Sequence, residues 1–244
     1  MKIVATIEAR MTSSRLPGKV LLPVNGRPLL EHLVRRLRAA ASLTDIVLAT
    51  TVNSTDDVLV SFAREIGIQC FRGSEEDVMG RVVGAAAAAD ADLVVEITGD
   101  CPLIDPSIVE TVIRTFRAND AAYVSNAHVR SFPDGMDVQV FRRATLERSA
   151  AMTREPLDRE HVTLHIRSHP ELFRAVHVVA PPELHWPELG LTLDEPGDYE
   201  LIRRIIEHLE PVNPLFGCGE VLRLLRDNRS WLELNRAVVR KGDT

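Results

Sequence analysis

The sequence predicts an α/β protein whose mainly parallel sheet has helices on both faces. The first observation is that short apolar runs of strand length alternate along the chain with amphipathic helical segments, which is typical of parallel sheets. The second is the length of 244 residues, which fits one α/β domain. The third is a composition of 45% hydrophobic and 26% charged residues, as in ordinary globular proteins. We therefore expect residues 1–244 to form a single domain.

The first half of the chain carries the regular part of this alternation. Apolar runs predict strands at residues 2–7, 45–52, 68–71, 92–98 and 121–125. Helical spacing predicts helices between them, at residues 28–41, 55–66, 75–89 and 106–117. In the first helix, Leu30, Leu33 and Leu37 fall on one face, and Pro28 suits the first turn. The resulting order is βαβαβαβαβ.

The pattern changes after Ser125. Two further strands are predicted at residues 136–141 and 173–180. Helices are predicted at residues 143–152, 158–168, 196–209 and 218–228. We expect the region 126–170 to leave the main sheet and return, and to serve acceptor binding or dimerisation.

Charge and cysteine content argue against several classes of protein. The net charge of −6 argues against a nucleic-acid binder, which usually presents a basic face. No stretch approaches the ~18 apolar residues of a membrane span, and the N-terminus lacks the apolar core of a signal peptide. The cysteines are odd in number and widely spaced, so neither a disulfide framework nor a zinc site is visible. These features predict a cytoplasmic protein with no nucleic-acid or membrane partner.

A long loop at residues 8–27 separates the first strand from the first helix. Most such loops have roughly 2–6 residues, so a long one is usually functional. It lies at the carboxyl end of a strand, where open α/β sheets bind ligands. Arg10, Arg15 and Lys19, with serines and glycines between them, suit a polyphosphate. The alternative is a solvated basic loop without a ligand.

Two standard phosphate motifs are absent from this loop. A P-loop requires GxxxxGK[ST], but here Lys19 is followed by Val20, and Ser13 stands in place of the first glycine. The GxGxxG fingerprint is also missing, which disfavours an NAD-dependent oxidoreductase. The loop is therefore predicted to be a phosphate site of a third kind.

Asp100 is the first candidate metal ligand. It follows the apolar run 92–98, so its carboxylate should face the same crevice as the loop. Triphosphate chemistry requires a divalent cation, and Mg²⁺ takes one or two carboxylates together with phosphates and water. The alternative is a turn aspartate, because Gly-Asp is common in turns.

The loop sequence also resembles a known family. The segment ARMTSSRLPGK, followed by GRPLL, is similar to the N-terminal signature of cytidylyltransferases that make CMP-activated sugar acids, and most similar to the spore-coat polysaccharide biosynthesis protein F group. The resemblance implies a Rossmann-like, GT-A-type nucleotidyltransferase fold that uses CTP and Mg²⁺. In the loop the predicted nucleotide-binding residues are Ala9, Arg10, Ser13, Ser14, Arg15, Gly18 and Lys19.

Outside the loop the resemblance extends to further segments. The segment TLDEP matches the family's T-x-D-x-P, which implies Asp194 as a second metal ligand; the alternative is that Asp194 caps the following helix. Glu195 and Asp198 fit first-turn helix acids better than ligands. The segment RGSEEDV implies that Arg72 and Ser74 lie near the nucleotide, although Ser74 suits a helix cap equally well.

Two segments suggest where an acceptor binds. DGMDVQVF resembles the family's DG-x-DVEVF, with Gln139 in place of an acidic residue, and makes Asp137 a candidate contact. REHVT resembles the spore-coat group and makes Arg159 and His161 candidates for binding an acidic acceptor. The alternative for the latter pair is a helix with one polar face.

The predicted reaction is transfer of CMP from CTP to a small acidic acceptor with release of pyrophosphate. Lys19, Arg10 and Arg15 would stabilise the triphosphate and the leaving group, and Asp100 would hold Mg²⁺. No residue stands out as a general base. The resemblance implies a homodimer. The alternatives are a nucleotidyltransferase with another base or with a phosphonate or polyol-phosphate acceptor, and a nucleotide-binding module without turnover.

Overall fold

A computed structural model of the chain describes residues 1–239. The strands are β1 (Ile3–Glu8), β2 (Pro23–Val24), β3 (Arg27–Pro28), β4 (Asp45–Thr51), β5 (Gln69–Gly73), β6 (Leu93–Thr98), β7 (Tyr123–Ser125), β8 (Gln139–Arg142) and β9 (Ala175–His177). The helices are α1 (Leu29–Arg38), α2 (Asp57–Glu65), α3 (Val78–Ala88), α4 (Pro106–Ala118), α5 (Arg143–Met152), α6 (Pro156–Glu160), α7 (Leu164–Ser168), α8 (Pro196–Leu209) and α9 (Cys218–Asp227). No helix among these residues is both long and apolar enough to cross a membrane.

Seven strands form one mainly parallel sheet in the order β5-β4-β1-β6-β8-β7-β9. Only β8 runs antiparallel to its neighbours β6 and β7. The sheet therefore confirms the predicted α/β class. The region 126–170, which we expected to leave the sheet, already returns to it at β8, because β8 lies between β6 and β7. A role for residues 126–170 in acceptor binding or dimerisation stays a prediction.

Side chains on the two faces of the sheet enter two separate cores. Along β1, Ile3, Ala5 and Ile7 pack into one core together with residues of α1, α4, α8 and α9. Val4 points the other way and packs with residues of α3 and α5. Alternation of side chains along each strand thus requires helices on both faces, as predicted.

Two predicted elements differ in the structure. The prediction of one helix at residues 158–168 is wrong, because two short helices, α6 and α7, occupy this region. His161 leaves the helical region with φ −106° and ψ 71°, and the Thr163 hydroxyl donates to Gln139 Oε1 at 2.6 Å. The helix expected from residue 75 begins at Val78, because the Asp77 carboxylate accepts a hydrogen bond from Gly80 N at 2.8 Å and caps it.

The long loop has local structure of its own. Gly18 adopts a left-handed conformation with φ 71° and leads into a 3₁₀ turn at Lys19–Leu21. The short β2–β3 hairpin follows, and its turn residues Asn25 and Gly26 have φ of 49° and 73°. Asn-Gly with two positive φ angles is the preferred hairpin turn. These turns return the chain to α1 and hold Lys19 over the end of the sheet.

Candidate active site

The carboxyl ends of β1 and β6 open into a crevice of about 850 Å³. Its walls are the loop after β1, the start of α3, the end of α6 and the turn before α8. The volume lies in the range of roughly 300–1,000 Å³ that is typical of small-molecule sites. The crevice is therefore where the sheet topology places a ligand.

Lys19 lies between two carboxylates in this crevice. Its Nζ is 3.2 Å from Asp100 Oδ2 and 3.0 Å from Asp194 Oδ1. The Lys19 side chain is only 12% exposed. Burial by itself would lower the pKa of Lys19, but the two carboxylates outweigh burial and raise this pKa above its ordinary value. The ammonium group is thus charged and fixed at the centre of the site.

The turn before α8 presents Asp194 to the crevice. Residue Glu195 is the N-cap of α8, and Asp198 Oδ2 accepts hydrogen bonds from the backbone N–H groups of Asp194 (3.1 Å) and Glu195 (2.9 Å). Leu193 N also donates to the carbonyl oxygen of Asp100 at 2.8 Å. The alternative that Asp194 caps the helix is therefore wrong, because its carboxylate faces Lys19 instead. Glu195 and Asp198 have the first-turn positions that the sequence suggested.

The two loop arginines also contact carboxylates. Arg15 Nη2 lies 2.6 Å from Asp194 Oδ1, and Arg10 Nη1 lies 2.7 Å from Glu75 Oε1. Glu75 Oε1 accepts a further hydrogen bond from the Thr12 hydroxyl at 2.5 Å, which is the main cause that lowers the Glu75 pKa. An anionic ligand would have to compete with these carboxylates for the cations. Sequence reasoning missed Glu75 as a site residue, although it stands in the matched segment RGSEEDV.

Most predicted site residues line the crevice. Among the described residues the lining includes the predicted Ala9, Arg10, Ser13, Ser14, Arg15, Lys19, Asp100, His161 and Asp194. Gly18 shapes the turn before Lys19, and its N–H donates to the carbonyl oxygen of Met11 at 2.9 Å. The structure thus brings together residues that are far apart in sequence, while their roles in binding and catalysis stay predictions.

Arg72 and Ser74 do not line the crevice. The Arg72 guanidinium donates to the carbonyl oxygens of Thr51 and Asn53, both at 2.8 Å, and contacts Asp57 at 2.7 Å. It therefore joins β5 to the segment that follows β4. The Ser74 hydroxyl accepts a hydrogen bond from Asp77 N at 3.1 Å, so it supports the turn before α3.

Two of the three candidate acceptor residues also lie outside the lining. Arg159 contacts the Asp77 carboxylate and donates to the carbonyl oxygen of Ala150 at 3.1 Å, which ties α6 to α3 and α5. Asp137 lies 3.9 Å from Arg130. Burial, followed by repulsion from Asp134, raises the pKa of Asp137 to about 7. His161 is the one candidate that the fold places at the crevice wall.

Glu8, whose carboxylate oxygens are buried, lines the crevice, and the buried Glu96 lies on the neighbouring strand; sequence reasoning missed both. Glu8 ends β1, and Glu96 on β6 is paired in register with Thr6. The two side chains therefore project from neighbouring strands on the same face of the sheet. Burial and then repulsion from Glu96 raise the pKa of Glu8 well above its ordinary value. Burial also raises the pKa of Glu96. An acidic residue inside an otherwise apolar strand was the signal available in the sequence.

This pair predicts a pH-dependent stability. The pKa of Glu8 is raised in the folded state, so folding favours the protonated carboxyl. The contribution of Glu8 to the free energy of unfolding is therefore complete below the ordinary pKa of 4.5 and is lost as pH rises through the folded-state pKa. Glu8→Gln cannot ionise, so its melting temperature relative to that of the natural protein should increase as pH rises from 4.5 through the folded-state pKa of Glu8. Thermal unfolding across this range checks the prediction. Glu76→Gln at the exposed rim is the control, and a difference independent of pH would contradict the prediction.

Two carboxylates of the crevice are the candidate ligands of a divalent cation. Among residues 1–239 no group of three or more histidine, cysteine or acidic side chains has a geometry that could bind a metal. Asp100 and Asp194 nevertheless converge on the single ammonium group of Lys19. Two carboxylates suit Mg²⁺, which completes its coordination with phosphate oxygens and water. The residues present therefore fit a divalent cation that both carboxylates coordinate and that water or phosphate oxygens complete.

Comparisons with known proteins agree with this geometry. The family model described as cytidylyltransferase matches residues 4–216. The spore coat polysaccharide biosynthesis protein SpsF of Bacillus subtilis is 35% identical over 233 residues, covering 93% of this chain and 95% of that protein.

Solved structures show the same relationship. A cytidylyltransferase from Leptospira borgpetersenii has a TM-score of 0.91 at 30% identity, covering 98% of this chain and 100% of that one. CMP:2-keto-3-deoxy-manno-octonic acid synthetase, solved with CTP, shares the fold with a TM-score of 0.61 at 21% identity, covering 85% of this chain and 99% of that one. The resemblance seen in the loop sequence is thus confirmed over most of the chain, which belongs to the cytidylyltransferase family.

Proposed function

We propose that the protein transfers CMP from CTP to a small acidic acceptor, such as a sugar acid, and releases pyrophosphate. The observation that carries this proposal is the position of Lys19, held between Asp100 and Asp194 at the centre of a nucleotide-sized crevice. Membership of the cytidylyltransferase family supports CTP as the nucleotide. A sugar-acid acceptor is supported by the resemblance to enzymes that make CMP-activated sugar acids.

In the proposed reaction, an acceptor oxygen forms a bond to the α-phosphorus of CTP as the bond to the β-phosphate oxygen breaks. Arg10, Arg15 and Lys19 would exchange their carboxylate partners for phosphate oxygens and stabilise the departing pyrophosphate. Asp100 and Asp194 would hold Mg²⁺, which neutralises phosphate charge when bound. Once they have made this exchange on nucleotide binding, the cations would already be in position, so little reorganisation is needed during the chemical step.

We place the acceptor at the wall of the crevice that the end of α6 forms. His161 at the end of α6 is the predicted acceptor residue that lines it, together with Glu160. Arg159 and Asp137 would then act indirectly, by fixing α6 and the segment before β8. We propose an acidic acceptor with His161 as its contact, and a homodimer as the assembled form.

The test is a screen of CTP, UTP, ATP and GTP against a panel of sugar acids, with pyrophosphate release as the readout. We expect release with CTP and at least one sugar acid, and equilibrium titration at equal Mg²⁺ should show the tightest binding for CTP. Tighter binding of a purine triphosphate would contradict the cytidylyltransferase proposal. Release only with phosphonates or polyol phosphates would reassign the acceptor. Binding of CTP without release across a broad panel would indicate a module without turnover.

A further inference from the structure

The last described segment of the chain, residues 229–239, is used by no part of the proposed mechanism. We call residues 229–239 the C-terminal strap; it follows α9, begins with a 3₁₀ helix at Arg229–Leu234 and ends in contact with Arg15, a residue that lines the crevice. The match to the cytidylyltransferase family model ends at residue 216, so the strap lies beyond the matched region. Its contacts nevertheless lead to two residues of the candidate active site.

The first contact runs through Asn235, which is 7% exposed. Its Nδ2 donates to the carbonyl oxygen of Gly190 at 3.0 Å and to Asp198 Oδ1 at 2.9 Å. The other oxygen of Asp198, a fully buried side chain, accepts the backbone N–H groups of Asp194 and Glu195. Asn235 therefore fixes the rotamer of the carboxylate that holds the backbone of Asp194.

The second contact is a close approach between two backbones. A Cβ atom at Gly197 would lie 2.2 Å from the carbonyl oxygen of Leu234, a distance that no side-chain carbon can adopt. The strap packs against the first turn of α8 only because residue 197 is glycine. This approach places Asn235 within hydrogen-bond distance of Asp198.

The third contact is at the end of the described chain. The carbonyl oxygen of Val239 accepts a hydrogen bond from Arg15 Nη1 at 3.0 Å, while Arg15 Nη2 contacts Asp194 at 2.6 Å. The strap thus holds Arg15 directly and Asp194 through Asp198. Arg15 is one of the cations proposed for triphosphate binding, and Asp194 is one of the two proposed metal ligands.

We propose that the C-terminal strap positions Asp194 and Arg15 for the metal–nucleotide complex, with Asn235 as its main positioning residue. This inference rests on the proposed function, because it concerns the geometry of the proposed metal ligand. The physical reason is that a ligand whose backbone is already held by hydrogen bonds loses less conformational freedom when it binds a metal. Removing a direct hydrogen-bond partner of a ligand typically lowers metal affinity by roughly 10–100-fold, and Asn235 acts one step further out, through Asp198, so we expect an effect at the low end of this range.

The test compares Asn235→Ala with Asn228→Ala. Asn228 has the same side chain and donates to the carbonyl oxygen of Leu224 at 2.9 Å, but makes no contact with the crevice turn. Metal affinity is measured by titrating the full-length protein with Mn²⁺ in the absence of CTP and monitoring the titration by electron paramagnetic resonance. We expect about tenfold weaker Mn²⁺ binding for Asn235→Ala and a change of less than about twofold for Asn228→Ala. Binding unchanged in Asn235→Ala would overturn the proposal.

A second measurement separates this proposal from the proposed function. Amide hydrogen exchange at Asp194 and Glu195 in metal-free protein should be faster in Asn235→Ala than in Asn228→Ala, because the acceptor Asp198 is no longer fixed. If the natural protein bound no Mn²⁺, the assignment of Asp194 as a metal ligand would fail. The exchange rates alone would then test whether the strap positions Asp194. Equal exchange rates in both variants would overturn the proposed role of the strap.

If Asn235→Ala fails to fold, Asn235→Ser is the second variant. It keeps one donor and should show an exchange rate between those of the natural protein and a variant with no donor. An exchange rate equal to that of the natural protein would also overturn the proposal.

Discussion

Replacing Lys19 with alanine should lower kcat by about a hundredfold or more while the protein remains folded. The Lys19 side chain is 12% exposed, and its Nζ lies 3.2 Å from Asp100 and 3.0 Å from Asp194, so its charge acts where solvent screening is weak. A preorganised charge that meets the developing charge of the leaving group is worth about 2.7–4 kcal/mol in the transition state. Without it, the two carboxylates would also repel an approaching triphosphate. Steady-state pyrophosphate release with CTP measures the loss.

Lys2→Ala is the matched control for this experiment. Lys2 pairs with Asp45 at 3.5 Å, its side chain is 38% exposed, and it does not line the crevice. We expect its kcat to be unchanged and its circular dichroism spectrum to match that of Lys19→Ala. A Lys19→Ala variant that keeps a near-normal kcat would remove Lys19 from the proposed reaction.

Replacing Asp194 or Asp100 with asparagine should shift the Mg²⁺ dependence to higher concentration and lower turnover even at saturating CTP. Asparagine keeps the size of the side chain and one oxygen, but removes the negative charge that attracts the cation. Stability should change little for Asp194→Asn, because the helix is capped by Glu195 together with Asp198. Activity measured against Mg²⁺ concentration checks both variants.

Asp90→Asn is a suitable control for charge removal. Asp90 is exposed, lies outside the crevice lining and has φ of 50°, a conformation that asparagine also adopts. Its Mg²⁺ curve should match that of the natural protein. If Asp194→Asn alone kept a normal curve, Asp100 would be the sole protein ligand of the proposal. Normal curves for both Asp100→Asn and Asp194→Asn would remove the metal site.

The structural roles of several polar residues could not be assigned from the sequence. Arg72 and Arg159 stand in segments that resemble family motifs, which favoured ligand contact. In the structure Arg72 binds backbone carbonyl groups and Asp57, and Arg159 binds Asp77 and Ala150. A guanidinium group satisfies backbone oxygens as well as phosphates, so the residue type alone does not distinguish the two uses.

The sequence by itself determined the α/β class, the long loop with Arg10, Arg15 and Lys19, and a carboxylate at the end of β6. These features depend on hydrophobic periodicity and on local turn chemistry, which are written in neighbouring residues. Only the tertiary structure decided that Asp194 faces Lys19 rather than capping α8, that Glu75 holds Arg10, and that Glu8 and Glu96 share one buried face. It also decided that Asn235 supports the turn of Asp194. Such pairs join residues far apart along the chain, and their contact depends on strand order and on which face of the sheet each side chain occupies.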